Sequence, residues 1–220
     1  MISRLGRKFQ ADPRDLKYLA SDHLKPLKVA PKLTQKYWNP NGWWGNQGST
    51  PQCVGYAWAH WISDEPITHK VNPYVAPRVI YRGAQQNDEW PGTNYNGSSV
   101  RGGAKFLKQQ RKIVSYYWAY DVATVANAIL TLGPVIMGTD WYYNMFETDA
   151  AGLIHADGGV AGGHAYVLDG VDTVKSTFRI KNSWGKYWGV GGTATISFGD
   201  MAILLASDGE ACIAVETLHS

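Results

Sequence analysis

Cys53 is one of only two cysteines in the chain. It follows Gln47-Gly48 by six residues, where the apolar run QCVGYAWAHWIS (52–63) begins. The thiolate is the reactive form of cysteine, and a free thiol with a pKa of about 8.5 is mostly protonated at neutral pH. A helix N-terminus lowers that pKa, because its unpaired N–H groups act as partial positive charge. A neighbouring imidazolium does the same. Gly48, Ser49 and Pro51 form a turn that delivers Cys53 to such a helix start. Acyl transfer builds negative charge on a carbonyl oxygen, and preorganised donors must meet it. The Gln47 side-chain amide and the Cys53 backbone N–H could make that pair across the turn.

A thiol nucleophile needs a base, usually histidine. Among six histidines, His164 has the most suggestive setting, GGVAGGHAYVLDG (158–170). Glycines 158, 159, 162 and 163 leave room for a substrate, and the strand-like Ala165–Leu168 fixes the imidazole. The third element is KNSWGKYWG (181–189), where Asn182 can accept the imidazole N–H and orient the ring. Trp184 can shield that bond from water. Each piece alone has a plainer reading: a buried thiol behind a turn, a structural histidine, an asparagine in a strand-end turn. Cys212 lies in an apolar strand and reads as a small core residue. His155, Asp157 and His164 share one loop with no further Cys or His close by, so no metal site is expected. The glycine cluster lacks the G-K-[ST] ending of a phosphate loop. No cofactor is expected.

Those residues must be carried by elements. A chain of 220 residues makes one domain, or two small lobes sharing a cleft. Ten tryptophans, thirteen tyrosines and 24 glycines point to a loop-rich fold with large aromatic plugs. Helices are expected at 52–63, 74–87, 98–110 (with Ser98 or Ser99 as N-cap) and 122–132, the last stopped by Gly133-Pro134. Strand composition follows at 135–139, 164–172, 177–183, 193–198 and 211–218. Helices first and antiparallel strands later make an α+β arrangement. Asp169 and Asp172 read as turn residues after a strand. The stretch WYYNMF (141–146) reads equally as cleft wall or as core.

Pro13, Pro26, Pro31 and Pro40 make the N-terminal stretch an extended, wrapping arm with at most one short helix. Residues 1–36 hold nine Lys or Arg (Arg4, Arg7, Lys8, Arg14, Lys17, Lys25, Lys28, Lys32, Lys36) against Asp12, Asp15 and Asp22, a net +6. The whole chain is +3, so the remainder is −3. Such an arm is either solvated and packed around the body or docks on an acidic partner or nucleic acid. Two cysteines do not make a disulfide framework, although one Cys53–Cys212 bridge is open to the chain. No apolar run is long enough to span a membrane, and residues 1–20 lack the apolar core of a secretory signal. The expected setting is a reducing compartment: cytoplasmic, or virion-associated for a phage protein.

Taken in order, Gln47-Gly48-x-x-x-x-Cys53, GGHA (162–165) and KNSWGxxWG (181–189) closely resemble the papain-type cysteine peptidases. The resemblance implies a two-lobe α+β fold. A helical lobe (about 41–115) follows the arm (1–40), an antiparallel β-barrel lobe (about 116–220) comes next, and a cleft lies between them. It implies Cys53 as nucleophile, His164 as base, Asn182 as orienter and Gln47 as oxyanion donor, with Trp184 over the His–Asn pair. Gly97-Ser98-Ser99 would pair with the backbone of a peptide substrate, and Gly163 would flank it. Thr50 stands where the family usually has a second cysteine, Val54 where an aromatic follows the nucleophile, and Pro51 where a flexible glycine precedes it. No counterpart of the family's long inhibitory propeptide is evident. The pattern resembles short, disulfide-free bacterial or phage members. The implied activity is hydrolysis of peptide bonds. Its rivals are thiol amidase chemistry on cell-wall peptides and a papain-like fold used for binding or as a structural component, for example of a virus particle.

Overall fold

The computed structural model describes residues 5–67, 69–70 and 73–217. Arg4 of the basic arm and Leu218 of the last expected strand lie outside these residues.

The arm is less extended than its prolines suggest. It holds a 3-10 turn at Pro13–Tyr18, a short helix α1 (Ala20–His23), a second 3-10 turn at Lys25–Lys28 and a strand β1 (Gln35–Tyr37). The reason is local. Pro13 and Pro26 sit in first turns, where a missing N–H costs nothing. Asp12 caps the first turn by accepting from the Arg14 N–H at 2.9 Å.

Four helices then stand where the apolar runs place them, with somewhat tighter bounds. α2 (Cys53–Trp61) is buried along its length apart from Tyr56, as its all-round apolar sequence requires. α3 (Pro77–Asn87) begins on a proline. α4 (Val100–Gln109) is capped by Ser99, whose Oγ accepts from the Gly102 N–H at 2.9 Å. α5 (Val122–Thr131) is capped by Asp121 and ends just before Gly133-Pro134. Besides the short strands, two longer elements were not anticipated. IVSYYWA forms strand β2 (Ile113–Ala119). FGDMAILLA forms helix α6 (Phe198–Ala206), started by Ser197 as N-cap.

The remaining strands are β3 (Val135–Tyr142), β4 (Leu153–Ile154), β5 (Val160–Asp172), β6 (Thr177–Lys181), β7 (Thr193–Ser197) and β8 (Glu210–Glu216). Their order is β2-β8-β3-β5-β6-β7-β4, with β1 added to β5. All pairs are antiparallel except β4–β7. This corrects the expected barrel: the sheet is open. One end is the two-residue β4. At the other end Leu19 of the arm bridges to Trp118 of β2, so the arm covers backbone that a closing strand would need.

Strand alternation splits the core in two. Ile136, Ala165 and Val167 face α2, α3 and α4. Val135, Met137, Tyr166 and Leu168, on the opposite face of the same strands, pack with α5 and α6. His164 shares its parity with Tyr166 and Leu168. β5 therefore carries the imidazole on the face that packs with α5 and α6, while its other face seats α2, α3 and α4. Asp169 is not a turn residue: it lies inside β5 at an irregularity in pairing and binds Arg179 at 2.7 Å. Cys53 and Cys212 are buried and unbridged.

Candidate active site

Cys53 is the first residue of α2, and its thiol is fully buried. Gln52 at the N-cap makes no side-chain capping bond, so the first N–H groups of the helix stay directed at the region of the thiol. Backbone groups of Ala165, Gly6 and Val54 bond toward the sulfur. Ala165 follows His164, so the backbone of β5 next to the imidazole reaches the thiol at the start of α2.

The His164 Nε2 lies 2.8 Å from the Asn182 Oδ1. That same Oδ1 accepts the Ser183 N–H at 2.7 Å, which identifies the atom as the amide oxygen. Nε2 must therefore carry the hydrogen, and Nδ1 holds the free lone pair. Nδ1 is buried and hydrogen-bonds nothing among the described residues. Aromatic rings wall the imidazole. Trp141 meets it edge-on at 4.8 Å, and Trp184 lies tilted at 5.0 Å. Phe146 stacks on Trp184 at 5.4 Å. The WYYNMF stretch is thus both core and wall: Trp141 is buried, while Tyr143 and Phe146 line the groove beyond Trp184.

Gln47 is held from both ends. Its Oε1 accepts from the Ser183 hydroxyl at 2.6 Å, and its Nε2 donates to the Thr50 carbonyl at 2.7 Å. Its backbone N–H donates to the Ser183 carbonyl at 2.8 Å, and the Gly185 N–H donates to the Gly45 carbonyl at 3.0 Å. The turn before α2 is therefore laced to the segment that carries Asn182. Asn182 and Trp184 thus meet His164, Gln47 is tied to the same segment through Ser183, and the Cys53 sulfur reaches β5 through the backbone of Ala165.

The electrostatics differ from the sequence expectation of a lowered thiol pKa. Burial pushes the Cys53 thiol up to about 11, against the pull of the backbone groups and the Arg7 charge. Burial pushes His164 down to about 4, opposed by its bond to Asn182. In this state both groups are neutral, because the site is covered.

The cover is the arm. The Gly6 and Arg7 N–H groups both donate to the Gly163 carbonyl at 3.0 Å. The Lys8 N–H donates to the Ser98 carbonyl at 2.8 Å, and the Ser98 N–H donates to the Gly6 carbonyl at 2.9 Å. Residues 6–8 thus pair with Ser98 on the helical side and Gly163 on the sheet side, in parallel with Ser98. Bare glycines permit this approach: a Cβ on Gly6 would collide with the Pro51 carbonyl, and one on Gly163 with the Arg7 carbonyl. Gly97 and Ser98 therefore meet this chain's own backbone. Ser98 is not the helix cap; its hydroxyl donates to Asp88 at 2.7 Å. The arm's basic residues also have partners within the chain. Arg7 reaches Glu210, and Lys8 lies over the rings of Trp90 and Tyr95.

Sequence reasoning missed the parts played by Ser183, Arg7 and Glu210. Ser183 stood in plain view beside Asn182 in the N-S-W-G run. Nothing local links Arg7 to Glu210 across 203 positions. Among the described residues no group of three or more His, Cys, Asp or Glu is placed to hold a metal ion. No helix among them is long and apolar enough to cross a membrane.

A helix-borne thiol, a strand-borne imidazole and its amide partner, on an α+β fold, are the parts that a thiol-dependent hydrolase uses. The sequence profile of the papain family cysteine proteases matches residues 37–210, and the chain belongs to that family. Human cathepsin O is 35% identical over 91 residues, a stretch covering 38% of this chain and 27% of that protein. Xylellain, a cysteine protease from Xylella fastidiosa, superposes with a TM-score of 0.76 at 19% identity, covering 99% of this chain and 98% of its own. The bromelain protease from Ananas comosus, solved with the E64 inhibitor, gives a TM-score of 0.61 at 12% identity over 84% of this chain and all of its own. A proCathepsin B from Trypanosoma congolense gives 0.64 at 11% identity, over 98% of this chain and 84% of its own. These likenesses establish the fold.

Proposed function

We propose that the chain is a cysteine peptidase that hydrolyses peptide bonds through Cys53, His164, Asn182 and Gln47. The observation that carries this reading is the His164 tautomer. Asn182 holds Nε2–H, so Nδ1 keeps a lone pair on an imidazole adjoining the Cys53 site. Once the arm withdraws and a peptide enters, the Cys53 sulfur attacks the carbonyl carbon as its proton passes to His164 Nδ1. The charge on the carbonyl oxygen is met by the Cys53 N–H and the Gln47 side-chain amide. The C–N bond breaks as His164 returns the proton to the leaving amine. Water, deprotonated by the same Nδ1, then releases the acyl group. Asn182 keeps the ring in line throughout, and Trp141 and Trp184 keep water from the His–Asn bond.

The test is labelling of Cys53 with iodoacetamide from pH 4 to 9, read by intact mass, beside turnover of an unfolded protein. The full chain is compared with Gly6→Ala, in which the added methyl collides with Pro51 and displaces the arm. Fast labelling of Gly6→Ala well below pH 7, slowed by His164→Ala and accompanied by proteolysis, supports the reading. One observation favours a rival: the thiol is fully covered in this state. If Cys53 of Gly6→Ala labels only above pH 8 and cleaves nothing, the chain is a closed binding or structural member of the family.

A further inference from the structure

Ser98 clasps the arm's backbone, yet residues 88–97, which lead to it, belong to no helix or strand. A segment of that kind drifts unless something fixes it. What fixes it lies behind it, on α3. The Gly97 N–H donates to the Tyr81 hydroxyl at 2.9 Å. The Gln85 amide nitrogen lies 3.1 Å from the same hydroxyl, 2.8 Å from the Tyr95 carbonyl oxygen and 3.2 Å from the Gly97 carbonyl oxygen. Asp88, the C-cap of α3, accepts the Ser98 hydroxyl at 2.7 Å on one carboxylate oxygen and the Tyr95 hydroxyl at 2.6 Å on the other. Tyr81, Gln85 and Asp88 stand at i, i+4 and i+7, which is one face of a helix.

Both backbone polar groups of Gly97 and the hydroxyl of Ser98 are therefore engaged from behind. That leaves the Ser98 N–H and C=O to the cleft, where they meet Gly6 and Lys8. Gly97 itself has φ +91°, and a Cβ on it would lie 2.4 Å from the Gly6 carbonyl oxygen. The same tyrosine rests on the helix that carries Cys53. A Cβ on Gly55 would come within 2.8 Å of the Tyr81 Cβ and 2.3 Å of the Pro77 carbonyl oxygen. α2 and α3 thus touch two residues past Cys53, and the buried Tyr81 ring carries that position on to Gly97. Hydrogen bonds weaken steeply away from good geometry. A reacting bond misplaced by about 1 Å can slow a reaction about a hundredfold.

We propose that Tyr81, Gln85 and Asp88 are positioning residues: they hold Gly97 and Ser98 so that the Ser98 N–H and C=O grip a peptide backbone at a fixed distance from Cys53. This deepens the peptidase reading above and rests on it, but the test needs no turnover. The probes are fluorescent LGRKFQ, the sequence of residues 5–10, and the same peptide with an ester in place of the Arg7–Lys8 amide. The ester removes the N–H that donates to the Ser98 carbonyl. Both are titrated against full-length Gly6→Ala, Cys53→Ala. The amide peptide is expected to bind about two- to tenfold tighter than the ester. Adding Tyr81→Phe leaves the Gly97 N–H unpaired; adding Asp88→Asn disturbs the seat of the Ser98 hydroxyl. Either change should weaken the amide peptide and bring the two peptides within about twofold of each other. Urea melts identify which variants are folded, and if Tyr81→Phe is not, Asp88→Asn decides. A merely structural role would weaken both peptides alike and keep the gap. A gap that closes in a folded variant supports the proposal. A gap that persists in every folded variant, or equal binding of the two peptides before either change, overturns it. If the gap closes as expected while Gly6→Ala cleaves no protein, the peptidase reading alone falls.

Discussion

Two of the cation–carboxylate pairs buried in this molecule are built differently. Lys181 of β6 meets Asp64, just past α2, with its Nζ 2.9 and 2.6 Å from the two carboxylate oxygens; neither side chain is more than 1% exposed. Both partners sit on body elements, and Asp64 also accepts the Asn41 N–H at 3.0 Å. The Arg7–Glu210 pair is just as buried but longer, at 3.4 Å, and its cation comes from the arm. The Arg7 Nε has no hydrogen-bond partner among the described residues. The first pair is a permanent tie between the helices and the sheet. The second is a latch whose cation can leave, with the carboxylate able to take a proton in its place. The comparison fails if the two respond alike. Asp64→Ala would leave Lys181 charged and unpaired, and should cost about 3–5 kcal/mol of stability, read as a lower urea midpoint with unchanged slope.

The latch should answer to pH where the tie does not. Glu210 has its folded pKa raised from 4.5 to about 7. For a raised carboxyl, the stabilising contribution is complete below the unfolded pKa and is lost as pH rises through the folded one. That balance is against the unfolded chain; at the latch itself Arg7 pulls the Glu210 pKa down, so by linkage protonating Glu210 weakens its hold on Arg7. Facing it besides Arg7 are Arg101, whose charge favours the carboxylate, and Asp15, which opposes it. Cys212 feels Glu210 in turn, but burial holds its thiol protonated. Hydrogen exchange at the Gly6, Arg7 and Lys8 amides, corrected for intrinsic rates, should quicken severalfold between pH 8 and 6. The step should be absent in Glu210→Gln. Amides of α2 beside Asp64 should show no such step. An identical step in both places would remove the distinction.

The same contrast explains what could be read beforehand. The tie's neighbourhood was legible through its motifs: α2 announces itself by apolar content, and Asn182 by the N-S-W-G run. Order along the chain was enough to single out Gln47, Cys53, His164 and Asn182 as candidates, because each stands in or beside a strong local pattern. β2 was missed because its aromatics, Tyr116, Tyr117 and Trp118, face different neighbours and break strict alternation. α6 was missed because its apolar run FGDMAILLA carries no charged face. The arm's place in the cleft was illegible because it depends on backbone meeting backbone at Gly6 and Gly163, which no side-chain pattern reports. The covered state also reversed the expected thiol chemistry. A helix start lowers a thiol pKa only where desolvation does not outweigh it, and at Cys53 it does.

The smallest effect expected is at Ser183, and it sharpens the account of how the two sides of the site are coupled. The Ser183 hydroxyl donates to Gln47 and its N–H to Asn182, so one residue orients both amides. Ser183→Ala removes only the hydroxyl bond. A neutral hydrogen bond contributes about 0.5–1.5 kcal/mol, so stability should fall by no more than that. The backbone bond that fixes the Asn182 oxygen, and with it the His164 tautomer, would persist. The pH dependence of Cys53 labelling in Gly6→Ala should therefore stay put when Ser183→Ala is added, while turnover drops a fewfold because the Gln47 amide is less firmly aimed. Asn182→Ala should do the reverse and shift the labelling profile, since it frees the imidazole to take either tautomer. If Ser183→Ala moved the profile as Asn182→Ala does, Gln47 and His164 would be one coupled unit rather than two groups served by a shared residue.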